Sequence, residues 1–138
     1  MKRALAILSL VFMVTASLHA AAATREQAAQ EAAQQWLSLV DAGHYAESWQ
    51  NASSAFKHAV GQQQWQDALT AVRRPLGNLE KRELKSAEYK TSLPGVPDGE
   101  YVVLIFNTVF ENKKAAVETV TMQLEKDGTW RSSGYFIR

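Results

Sequence analysis

The amino-acid sequence predicts an α+β domain in which three N-terminal helices pack on one face of a curved four-stranded antiparallel sheet. Two observations carry that reading. Apolar residues recur at helical spacing through the first half of the chain, then alternate or run continuously from Glu80 onward. Asp127 and Gly128 separate two β-rich stretches and form a strong two-residue hairpin signal. Helices followed by strands, with no alternation between them, point to an α+β rather than an α/β architecture.

The elements follow in order. Thr24 and Gln27 have capping-box spacing, which predicts a helix running to about Ala42 and closed by Gly43, with Ala29, Ala33, Trp36 and Val40 on its inward stripe. A second helix is expected from near His44, with Tyr45, Trp49, Ala52 and Phe56 repeating the spacing and Ser53 and Ser54 ending its regular part. A third covers 62–74, showing Trp65, Ala68, Leu69 and Val72 on one side, until Pro75 and Gly77 stop it. The charged stretch 82–91, with Leu84, Ala87 and Tyr89, reads as an edge strand. Residues 93–99 hold two prolines and two glycines and must be a loop. The apolar run 100–110 is a central strand covered on both faces. Residues 111–114 turn the chain into strands 115–126 and 129–137.

The chain has 138 residues, 46% hydrophobic and 21% charged, with no cysteine, as expected of an ordinary globular domain without disulfides or cysteine-ligated zinc. Its formal charge of +1 lacks the basic excess of a nucleic-acid binder. Lys2 and Arg3 precede an uncharged apolar run and then Ala20 to Ala23, the pattern of a secretory signal too short to span a bilayer. The expectation is therefore a signal peptide at 1–22 and a single domain at 23–138. Its product would be periplasmic or secreted, without membrane attachment after cleavage.

Turn geometry places candidate site residues side by side. A two-residue turn pairs Lys126 with Thr129, Leu124 with Arg131, Met122 with Ser133, Val120 with Tyr135 and Glu118 with Ile137. Pairing Phe110 with Ala115 puts Tyr101, Val103, Ile105, Asn107 and Val109 on the same face, with Asn107 opposite Glu118. The candidate ligand-binding residues are thus Tyr101, Asn107, Glu118 and Tyr135 on an apolar wall. Glu118 is the candidate catalytic acid, since desolvation can raise a carboxyl group into general-base range. The alternative is that Glu118 is structural, wet or bonded to Asn107. The other face would carry Val102, Leu104, Phe106, Thr119, Thr121, Trp130 and Phe136, an apolar surface suited to a homodimer. His44 and His58 lack metal-ligand spacing, Ser53 and Ser54 lack a nucleophile elbow, and there is no glycine-rich phosphate loop, so no metal or cofactor is expected. Three functions stay open: a non-catalytic binding module for an apolar small molecule or protein partner, a pocket enzyme of isomerase, dehydratase or hydrolase type using Glu118, and a purely structural interaction protein.

Several separated motifs carry a family resemblance: DAGHYAESW at 41–49, Trp65, RRPLGNLEKRELKSAEY at 73–89, LPGVPDGEYVV at 93–103, FENKKAAVET at 110–119 and DGTWRSSGYFIR at 127–138. The sequence resembles the bacterial domain of unknown function 4019 family, a resemblance that implies no activity. More remotely, the leading helices, the Gly43, Tyr45, Trp49 spacing and a curved antiparallel sheet are similar to the nuclear transport factor 2-like, or cystatin-like, superfamily. That likeness implies a pocket between helices and concave sheet, but no catalytic motif of its enzymes is matched here.

Overall fold

A computed structural model describes residues 23–138; the expected signal segment lies outside the described residues. Helix α1 (Arg25–Asp41) begins as its capping box requires. The Thr24 hydroxyl accepts the Gln27 N–H at 3.2 Å, and the Gln27 side chain accepts the Thr24 N–H at 2.9 Å. It ends where Gly43, at φ +79°, lets the His44 N–H reach the Leu39 carbonyl, which satisfies carbonyls that the helix end leaves open. The stripe Ala29, Ala33, Trp36, Leu37 and Val40 is buried.

The middle of the chain differs from expectation. Two short helices, α2 (Tyr45–Gln50) and α3 (Ser54–Ala59), stand where the spacing predicts one. Ser53 caps the new helix by accepting the Phe56 N–H at 3.1 Å, while its own N–H binds the Ser132 carbonyl at 2.8 Å and pins α3 to the sheet. A serine pair that terminates one helix can therefore initiate the next. Helix α4 (Gln62–Arg73) continues into a 3-10 turn at Arg74–Leu76, with Pro75 near its start. Its buried row is Trp65, Leu69 and Arg73, whereas Val72 is 47% exposed and Ala68 also faces solvent. Ser48 ties the helices together: its carbonyl accepts the Trp36 indole N–H at 2.8 Å and its hydroxyl accepts that of Trp65 at 3.0 Å.

Strands β1 (Leu79–Lys90), β2 (Tyr101–Phe110), β3 (Lys113–Leu124) and β4 (Trp130–Ile137) form an antiparallel meander in the order β1-β2-β3-β4. The α+β architecture with a four-stranded antiparallel sheet is thus as the sequence predicts. The core lies between α1 and the inner face of the sheet, where Val102, Leu104, Phe106, Val120 and Met122 meet the α1 stripe, Trp65 and Leu69.

Both hairpins depart from the expected register, with opposite consequences. Phe110 pairs with Lys113 across a tight turn at 111–112, and an irregularity then brings Thr108 opposite Ala116 and Phe106 opposite Glu118. The pairing is one residue off the expected one, so β2 is reversed: Val102, Leu104, Phe106, Thr108 and Phe110 face inward. Tyr101, Val103, Ile105, Asn107 and Val109 face outward. In the second hairpin the Glu125 N–H binds the Thr129 carbonyl and the Gly128 N–H binds the Glu125 carbonyl, leaving a loop of 126–128 with Gly128 at φ +84°. That loop is one residue longer than expected, so Leu124 pairs with Trp130 and Met122 with Ser132. A bulge at Ser133 then restores the register, and Val120 meets Tyr135 and Glu118 meets Ile137 as the sequence predicts. Trp130 accordingly joins the core side.

Candidate functional site

Four charged residues from four elements converge at one end of the inner sheet face. Glu118 on β3 is fully buried, Arg73 at the end of α4 is 5% exposed, and Asp41 at the end of α1 and Arg82 on β1 are largely covered. The rows Ala33, Leu37, Asp41 and Trp65, Leu69, Arg73 each recur every fourth residue, so both helices continue their buried face into a charge. Asp41 sits at a helix C-terminus, where a negative charge is unfavourable by itself, while Arg73 at the end of α4 is favourable. Two carboxylates and two guanidiniums sum to no net charge.

Arg82 is the clamp. Its Nε and Nη2 donate to the two oxygens of Glu118 at 2.7 and 3.1 Å, and its Nη1 and Nη2 donate to those of Asp41 at 2.7 and 2.9 Å. Burial by itself lowers the Arg82 pKa, but the hydrogen bonds and charges of Asp41 and Glu118 outweigh it and raise the group above its ordinary value. Arg73 Nη2 donates to Asp41 at 2.9 Å. Its Nε and Nη1 are buried without a protein acceptor, and its guanidinium lies 4.8 Å over the Phe110 ring.

Glu118 is fully engaged. Oε1 accepts from Arg82 Nε and from the Thr108 hydroxyl at 2.6 Å, and Oε2 accepts from Arg82 Nη2 and the Tyr135 hydroxyl. A carboxylate offers about four lone-pair sites, and each has a donor here. Burial, then the charge and hydrogen bond of Glu118, push the Tyr135 phenol above its ordinary pKa and hold it as a neutral donor. No lone pair of Glu118 remains to take a proton from a substrate.

Of the four residues singled out from the sequence, the structure therefore brings only Glu118 and Tyr135 together. Asn107 is exposed on the opposite face, because the β2 register differs by one residue. Thr108 takes its place beside Glu118. Tyr101, also on the outer face, is 2% exposed beneath the loop at 93–99, where its hydroxyl donates to the Pro97 carbonyl at 2.7 Å. Sequence reasoning missed Arg82, Asp41 and Arg73. The signal was their spacing: the first shares a strand face with Leu84, and the other two extend buried helical rows.

Tyr101 belongs instead to a separate cleft of about 350 Å³ between α3 and the 93–99 loop. Phe56 and Ala59 form one wall and Leu93, Pro94 and Val96 the other, with Ser133 and Gln123 at the base. The Ser133 hydroxyl is 2.8 Å from both Ser53 Oγ and Gln123 Oε1, so these oxygens at the base already have partners. The bulge at Ser133 that restores the β4 register thus also builds the floor of this cleft.

Comparison with curated proteins finds no match. The family model described as "Protein of unknown function (DUF4019)" matches residues 32–135, a span that holds all four charged residues and both walls of the cleft, and the chain belongs to that family.

Proposed function

We propose that the protein is a non-catalytic binding module whose cleft between α3 and the 93–99 loop takes an apolar small molecule. The observation that carries this reading is the cleft's make-up: its walls are aliphatic and aromatic, the Tyr101 and Ser133 hydroxyls at it are already bonded, and its volume of about 350 Å³ suits a compact ligand. Recognition there rests on apolar burial rather than on charge. The enzyme reading loses its support because the candidate acid has a donor on every lone-pair site. Export by the 1–22 segment, and a remote kinship with nuclear transport factor 2-like folds, belong to the same proposal. They rest on the leader pattern and on helices packed against an antiparallel sheet.

Titration with the apolar dye Nile red tests the proposal. Saturable fluorescence enhancement is expected, abolished by Ala59→Trp, which fills the cleft from an exposed position of α3. Absence of saturation, or saturation indifferent to that substitution, refutes it.

A second association reading concerns the outer sheet face, where Phe136 is 60% exposed beside Thr119 and the partly covered Val103, Ile105 and Val117. Val102, Leu104, Phe106 and Trp130, which the sequence assigns to this face, lie on the inner one, and Val103, Ile105 and Val109 take the place of the β2 residues on the outer face. Pairing of two copies through it predicts a dimer by analytical ultracentrifugation that Phe136→Ser dissociates.

A further inference from the structure

A second cleft, of about 370 Å³, opens between α1, α2 and the β3–β4 hairpin. Its floor is apolar and rigid. Trp36 is held by its indole hydrogen bond to Ser48 and by an edge contact with Tyr135 at 5.5 Å, Met122 is buried, and Trp130 is partly covered, leaving part of its indole on the cleft. Its polar lining combines the hydroxyl residues Thr129 and Ser132 with four planar groups at the lip. Gln35 contributes an amide, Asn51 an amide anchored through Nδ2 to the Glu47 carbonyl at 2.9 Å, Glu47 a carboxylate and Arg131 a guanidinium.

This combination selects a ligand class. An apolar aromatic floor favours a molecule with one C–H face, and planar side chains around the lip favour an edge of adjacent hydroxyls, each of which both donates and accepts. One carboxylate and one guanidinium leave the lip without net charge, which disfavours phosphate-bearing ligands and simple cations alike. A fatty chain would leave the lip groups unmatched. We infer that the cleft between α1, α2 and the β3–β4 hairpin binds a neutral saccharide, with a sugar ring against Trp130 and its hydroxyl edge toward Gln35, Asn51, Glu47 and Arg131. The inference is independent of the apolar cleft, since neither Trp130 nor any of these lip residues lines it.

The test is an NMR titration of the tryptophan indole N–H resonances with three probes, the tetramers of N-acetylglucosamine, β-1,4-linked glucose and α-1,4-linked glucose, at millimolar concentration. Trp130→Phe assigns the Trp130 resonance. At least one probe should shift it saturably while the Trp49 indole, bonded to the Val60 carbonyl at 2.7 Å, stays unmoved. Which tetramer binds distinguishes an amino-sugar polymer from the two glucans. The double variant Gln35→Ala with Asn51→Ala, at exposed positions, should keep the thermal midpoint and weaken binding about tenfold or more. No saturable shift with any of the three overturns the inference. Saturable binding that is indifferent to the double variant overturns it as well.

Discussion

The two ends of the inner sheet face make opposite use of polar groups. At the Glu118 end, charges from α1, α4, β1 and β3 are buried and turned on one another, leaving Glu118 with no unused acceptor. At the Met122 end, the surface is aromatic and the polar groups stand at the margin of an open cleft. The difference lies in unused capacity: Glu118 has a donor on every lone-pair site, whereas Gln35, Glu47 and Asn51 at the other end are exposed. The ion network orders the elements that meet there, because a buried charge is costly without its partners, and among its described side-chain atoms only Nε and Nη1 of Arg73 are left without an acceptor.

The largest test of that contrast is to break the closed end. Glu118→Ala leaves Arg82, Thr108 and Tyr135 facing an empty position and should cost about 3–5 kcal/mol in urea unfolding. A loss under about 1 kcal/mol would mean that the network contributes little to stability. Tyr135→Phe removes one donor to a charged acceptor and should cost about 1.5–3 kcal/mol at neutral pH. The gap to the wild type should then narrow in alkali. The folded phenol keeps its proton above the ordinary value of 10.0, whereas the unfolded phenol loses it there, so the Tyr135 contribution is intact below pH 10 and fades as pH rises beyond it.

Arg73→Met sharpens the comparison within the network. Asp41 keeps two hydrogen bonds from Arg82, and two buried N–H groups without acceptors disappear, so the expected cost is about 1 kcal/mol or less. Arg82→Met, which strips both carboxylates, should cost several times more. The smallest effect belongs to the open surface: Phe136→Ser should change stability by about 0.5 kcal/mol or less while dissociating any pairing of copies through the outer face.

Much of the fold was legible in local chemistry. The capping box at Thr24, the stop at Gly43, the loop at 93–99 and the number and order of strands follow from residue types acting on their near neighbours. The bulge in β1 was not foreseen: the pairing shifts between Leu84 and Ser86, which puts Leu84 and Ala87, three apart, on one face. The candidate site was half legible. Glu118 and Tyr135 do meet, because the longer loop at 126–128 and the bulge at Ser133 offset each other, whereas the tight turn at 111–112 shifts the pairing by two residues, which keeps the faces, and the one-residue irregularity between Thr108 and Phe110 then moves Asn107 to the far face.

By itself the sequence determined which segments are helix and which are strand, since capping, turn chemistry and hydrophobic period act over a few residues. It also determined the family, through motifs spread along the chain. Only the tertiary structure decided which charges meet. Asp41, Arg73, Arg82 and Glu118 come from four separate elements, and their convergence depends on a strand register that one residue of irregularity between Thr108 and Phe110 reverses. The same dependence left the function of Glu118 unreadable: whether a buried carboxylate reacts or only holds is set by how many donors surround it, and three of its partners lie on other strands.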